Sequence, residues 1–170
     1  MPNPDANQNI YYPFRSTASR PFIFASPIHE FSVDRLVAGV RARRALQVLI
    51  GEPGTGKSTL LHFLLESIPE HTQTLFCYSS AIDSGQLLTF VAEHLPDHHG
   101  SRGGPPDLES FQRLLRMNCP PDHSLLVIVD EAQHLAPSAL DLMLDITDWS
   151  ASSGGRALFV AAGDEELERR

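Results

Sequence analysis

The sequence predicts an α/β fold, a three-layer sandwich with helices on both faces of a parallel sheet. Three observations carry that expectation. Apolar runs of strand length alternate with stretches whose apolar residues recur at helical spacing, which is the pattern of right-handed β–α–β crossovers. Residues 51–58 read Gly-Glu-Pro-Gly-Thr-Gly-Lys-Ser, the form G-x-x-x-x-G-K-[ST], between one such run and a helix. A further apolar run, 125–129, ends in Asp130 and Glu131, and open α/β sheets gather ligands at the C-terminal ends of their strands.

Residues 1–25 have little periodicity and are expected to form an extended arm, with Tyr11, Tyr12, Phe14, Phe22 and Phe24 packing on a domain that spans 26–170. Ser26-Pro27 reads as a helix N-cap followed by proline in the first turn. It predicts a helix from about 27 to 44, with Leu36, Val37 and Val40 on one face. Leu46–Ile50 is a buried strand, and the glycine-rich loop follows it. Leu60, Leu61, Leu64, Leu65 and Ile68 then mark a helix over 57–68.

Thr74–Ser79 reads as the second strand, and Leu87, Leu88, Val91 and Leu95 set a helix over 86–95. Glycines and prolines make 96–106 a loop. His98 and His99 within it have no further ligand pattern around them and read as plain loop. A helix over 108–117 and a Cys119-Pro120-Pro121 turn lead into the strand that ends at Asp130. A helix over 138–148 carries Leu140, Met143, Leu144 and Ile146. Gly154-Gly155 turns the chain into a last strand, Ala157–Ala162, and Glu165–Arg170 begins another helix.

Composition narrows the classes. With 170 residues, 42% hydrophobic and 20% charged, the chain can build one domain with a core and is not wholly disordered. A formal net charge of −8 gives no bulk attraction to nucleic acid or anionic lipid. Arg41, Arg43 and Arg44 form a local basic cluster that reads as a solvated helix end. The two cysteines, Cys77 and Cys119, lack metal spacing and suit a reducing compartment such as the cytoplasm. The polar, proline-bearing N-terminus is not a signal peptide, and no apolar run is long enough to span a bilayer.

The two motifs define a chemistry. Gly51, Gly54 and Gly56 let backbone N–H groups converge on one anion, together with Glu52, Pro53, Thr55 and Thr59 as the rest of the loop and its helix start. Lys57 supplies a mobile positive charge for the β- and γ-phosphates, and the Ser58 hydroxyl supplies a ligand for Mg²⁺. Average residue frequencies give roughly one accidental match per hundred chains of this length. Asp130 is the second Mg²⁺ residue, and Glu131 is the group that orients or deprotonates the attacking water. Together they predict a Mg²⁺-dependent nucleoside triphosphatase. The absence of an Asn-Lys-x-Asp motif favours ATP over GTP.

Three stretches resemble AAA+ ATPases, and within them the ExeA/GspA-type ATPases of general secretion, which are related to TniB-type transposition ATPases. They are Ser26-Pro27-x-His29 with the helix, strand and loop that follow it, Leu125–Leu135 with Asp-Glu-Ala-Gln at 130–133, and Phe159–Arg169. The resemblance implies an AAA+ type sheet in which the last strand lies beside the loop-bearing strand. It puts Asp164, where that family usually has Gln, at a sensor-1-like position as a third catalytic candidate. It further implies that a fifth strand, a helical lid, a sensor-2 arginine and an arginine finger lie beyond Arg170, so the chain is expected to be truncated at its C-terminus. A homo-oligomer or ring neighbour that supplies the finger, and a secretion-machinery membrane protein, are the implied partners. By the same analogy, residues 22–26 are expected to lie against the base.

Other readings stay open at this point. The truncation and Asp164 suit an ATP-binding interaction module with little turnover. Asp130-Glu131-Ala132-Gln133 resembles the acidic box of helicases, but no Ser-Ala-Thr motif follows it. A TniB-type DNA-transposition ATPase is opposed only weakly by the acidic charge.

Overall fold

The computed structural model describes residues 26–78, 81–95 and 107–170. The aromatic arm, the expected base contact of residues 22–25, and His98 and His99 lie outside these residues. Among the described residues, helices and strands follow one another in the expected order: α1 (Pro27–Arg41), β1 (Leu46–Ile50), α2 (Lys57–Glu66), β2 (Thr72–Tyr78), α3 (Ser84–Glu93), α4 (Leu108–Asn118), β3 (Ser124–Asp130), α5 (Pro137–Ser152), β4 (Ala157–Gly163) and α6 (Glu165–Glu168). A 3₁₀ turn, Ala132–His134, follows β3.

The four strands form one parallel sheet in the order β1-β4-β3-β2. Successive side chains alternate between its faces. Leu125, Val127 and Val129 of β3, with Ala157, Phe159 and Ala161 of β4, join the core beneath α3, α4 and α5. Leu126 and Ile128, with Leu158, Val160 and Ala162, join the core beneath α1 and α2. Every residue of β3 and β4 is buried, which explains their unbroken apolar text. Each such Leu, Ile or Phe stabilises the fold by about 1.5–3 kcal/mol through burial. Cys77 and Cys119 are also buried, and desolvation pushes both thiols up to about 11, so neither is a reactive thiolate.

The element bounds differ from the sequence reading where side chains cap the helices. Ser26 caps α1 as expected, and His29 completes the box by accepting the Ser26 N–H. α3 starts two residues earlier than periodicity indicates, because Asp83 and Gln86 form a capping box. α1 stops at Arg41 rather than near 44. Arg43 adopts φ 52°, and its Nη1 donates to Pro121 O at 2.6 Å and Gly154 O at 2.9 Å. This arginine is a fastener between two turns and not part of a solvated helix end. In α5, Met143 and Ile146 are buried as expected, but Leu144 is 52% exposed. Ala139, Leu142, Thr147 and Ser150 complete the buried stripe instead. No described helix is long and apolar enough to cross a membrane.

Candidate nucleotide site

The glycine-rich loop leaves the C-terminal end of β1 and enters α2 at Lys57. Gly54 and Gly56 have φ 82° and 89°, a left-handed geometry that strains any residue with a Cβ. Gly51 is required for a different reason: a Cβ there would meet Thr55 Oγ1 at 2.9 Å. Thr55 Oγ1 in turn donates to Glu52 O at 2.8 Å and closes the curl. Glu52, Pro53, Gly54 and Thr55 form its exposed lip, while Ser58 and Thr59 are half-buried in the first turn of α2.

Gly56 is the N-cap of α2, and no side chain caps that end. The first-turn N–H groups therefore keep their donors for an anion, and the helix dipole adds partial positive charge. Lys57 is 7% exposed. Its Nζ donates to Gly51 O at 2.8 Å and Glu52 O at 3.2 Å, which holds the ammonium inside the loop.

The acidic pair stands at the same end of the sheet. Asp130 closes β3 and is 1% exposed. Its Oδ1 accepts the Glu131 N–H at 3.0 Å, and it pairs with no cation among the described residues. Its charge helps to raise the Tyr78 pKa, an effect second to desolvation of the phenol. The Asp130 carboxylate and the Ser58 hydroxyl are both oxygen donors, the type that a hard cation such as Mg²⁺ prefers.

Glu131 follows in a left-handed conformation, φ 55° and ψ 42°. Such a non-glycine residue costs about 1–3 kcal/mol and persists where its surroundings hold it. Gln133 is one such neighbour: its Nε2 donates to Glu131 Oε2 at 2.6 Å. Gln133 Oε1 is buried and accepts no hydrogen bond among the described residues. It lies so close to Gly163 that a Cβ there would meet it at 2.7 Å.

Asp164 follows β4, which pairs with β1 up to Ile50↔Gly163. Gly51 N donates to Gly163 O at 3.1 Å, so Asp164 stands next to the loop's entry. Its Oδ1 accepts the Glu166 N–H at 2.9 Å and caps α6. Arg169 pairs with Glu165 at 3.4 Å, and Arg170 Nη1 donates to Gln133 O and Leu135 O at 2.6 and 2.8 Å. Arg170 is thus held against the 3₁₀ turn, while Arg169 stays at the surface.

His29 reaches the loop unannounced by the sequence motif. Its Nε2 lies 3.1 Å from Thr55 O. Because Nδ1 accepts the Ser26 N–H at 3.4 Å, Nε2 carries the hydrogen and donates to that carbonyl. In the sequence His29 stands out only within the Ser26-Pro27-x-His29 stretch of the family resemblance and as a histidine at the third position after a serine N-cap, where Glu or Gln is usual.

A family model described as AAA domain matches residues 40–170. The chain belongs to that family. It is therefore an AAA-type ATPase domain, with the ATP binding that such domains have in general. General secretion pathway protein A of Aeromonas hydrophila is 25% identical over 158 residues, which cover 92% of this chain and 29% of that protein. The chain thus spans less than a third of the length of this relative. Among solved structures, Cdc6p of Pyrobaculum aerophilum superposes with a TM-score of 0.66 at 22% identity, covering 90% of this chain and 43% of its own. The Walker-type ATPase of Pyrococcus abyssi gives a TM-score of 0.59 at 18% identity, covering 88% of this chain and 48% of that one. At these identities the two structures share the fold alone.

Proposed function

We propose that this domain hydrolyses MgATP to ADP and phosphate, with Lys57 and the loop amides holding the phosphates and Glu131 directing the attacking water. The observation that carries this reading is the common placement of the 51–58 loop and the Asp130-Glu131 pair at the C-terminal ends of one parallel sheet. Phosphoryl transfer asks mainly for positioning and charge neutralisation. When bound, Mg²⁺ supplies neutralisation through the oxygens of Ser58 and Asp130. Lys57 holds the phosphate charge from within the loop. Glu131 has Oε2 tied to Gln133, which leaves its other oxygen to accept a proton from water. Asp164 acts at the rim, beside the loop's entry. The test is phosphate release from MgATP by the purified chain. Turnover that EDTA abolishes supports the reading, and MgATP binding without turnover favours an ATP-binding module.

Asp130→Ala is expected to raise the Mg²⁺ concentration for half-maximal ATP binding by about tenfold, the equivalent of about 1.4 kcal/mol for a lost metal-side partner. Identical Mg²⁺ titrations in both proteins would remove Asp130 from the metal site. His29→Ala is expected to weaken MgADP binding by about three- to tenfold, as loss of a net hydrogen bond of about 0.5–1.5 kcal/mol implies. His29→Gln keeps a capping-box residue but not the reach to Thr55. Equal losses in both variants therefore assign the effect to the loop contact, and rescue by Gln assigns it to the helix cap.

The similarity to general secretion pathway protein A supports a role in a secretion-type assembly on the cytoplasmic side of a membrane. A neighbouring subunit is the proposed source of an arginine finger.

A further inference from the structure

The opposite end of the sheet carries a second group of ligand-type side chains. His71 immediately precedes β2, and Asp122 and His123 immediately precede β3. One imidazole nitrogen from each histidine and one carboxylate oxygen all lie within 4.8 Å of one another. His123 Nδ1 is 3.0 Å from Asp122 Oδ1, and the His71 and His123 rings meet edge to face with centroids 5.0 Å apart. We propose that His71, Asp122 and His123 bind one divalent transition-metal ion of the Zn²⁺ class, at a site separate from the nucleotide.

The backbone holds these residues together without the ion. Thr72 and Ser124 are register partners in the sheet, and Ser124 N donates to His71 O at 3.1 Å. His123 N donates to Pro120 O at 2.9 Å and closes the second turn. Arg43 donates to Pro121 O and Arg156 to Cys119 O, each at 2.6 Å, which pins that turn to the domain. Little chain entropy is therefore left to lose when a metal binds.

The donor set selects the ion. Two imidazoles and a carboxylate suit Zn²⁺ and its first-row neighbours, whereas Mg²⁺ prefers oxygen. Ligand atoms about 2.1 Å from a common ion stand no more than about 4.2 Å apart. The His123–Asp122 pair already satisfies that limit, and His71 and Asp122 are exposed side chains with room to rotate into it. Three protein ligands leave the fourth tetrahedral position to water. The two arginines beside the turn oppose a cation and weaken its binding. Seven strand residues separate His123 from Glu131. At about 3.3 Å per residue, the ion sits on the order of 20 Å from the acidic pair and acts as a staple across β2 and β3 rather than in phosphate chemistry.

The test is calorimetric titration of the metal-stripped, nucleotide-free chain with Zn²⁺, in excess Mg²⁺. One Zn²⁺ per chain is expected, with at least tenfold weaker binding in His71→Ala and in His123→Ala, and no change in His98→Ala/His99→Ala. Co²⁺ in place of Zn²⁺ should give the visible bands of a four-coordinate ion, lost in the same two variants. No saturable Zn²⁺ binding by the parent chain, or undiminished binding in either variant, overturns the proposal. Because the readout is zinc on the chain, its outcome is independent of ATP turnover.

Discussion

Lys57→Met is expected to reduce MgATP affinity by about 30- to 4,000-fold, the loss that follows from removing one partner of a buried charge pair worth about 2–5 kcal/mol. Methionine keeps the aliphatic stem that packs under the loop and removes only the ammonium. Lys57 is the one cation of the 51–58 loop, at a sheet end that also carries Asp130, Glu131 and Asp164. Its loss leaves the phosphates facing those carboxylates without a counter-charge from the loop. Lys57→Arg should not restore binding, because a planar guanidinium does not fit a position whose Nζ is already bonded to Gly51 O and Glu52 O inside the curl. Fluorescent-nucleotide titration reads the affinity, and circular dichroism confirms that the variant folds. An affinity within threefold of the parent would refute the loop assignment.

The glycine-rich loop and the acidic strand are legible in the sequence because both are local. Eight consecutive residues fix the loop's curl through Gly54 and Gly56, and the apolar run 125–129 reports burial on both faces. The parallel sheet follows from alternation alone. The placement of β4 beside β1 does not, and the sequence reading obtained it only through family resemblance. Helix starts were read late where a capping side chain sits upstream of the apolar stripe, as Asp83 does for α3. Periodicity reports which face is apolar, not where the first polar residue turns back on the backbone.

What stayed hidden is long-range. His29 meets Thr55 across 26 residues, and Arg170 meets Gln133 across 37. Arg43 reads locally as a helix-end charge, yet it finds two turn carbonyls 78 and 111 residues away. No local pattern announces which distant carbonyl a side chain will reach. The left-handed Glu131 is hidden as well, since a glutamate there contradicts local preference. The conflict marks the position where the fold holds a carboxylate in an orientation that propensity alone would not choose.

That orientation underlies the second large effect. Glu131→Gln is expected to lower the rate of phosphate release by about 10²- to 10⁴-fold, the usual worth of a positioned general base, while MgATP still binds. The substitution is nearly isosteric, and the new amide oxygen can accept the Gln133 Nε2–H that Glu131 Oε2 now accepts at 2.6 Å. Geometry is therefore kept while basicity is removed. Removing a negative charge beside the phosphates should hold or tighten nucleotide affinity, so binding and turnover move apart. Single-turnover phosphate release, measured beside fluorescent-nucleotide binding, separates the two. Undiminished release would take Glu131 out of the mechanism and turn attention to Asp164, whose carboxylate is otherwise occupied in capping α6. Loss of both binding and turnover would instead mean that the side chain supports the 3₁₀ turn and the end of β4, through Gln133, rather than acting on water.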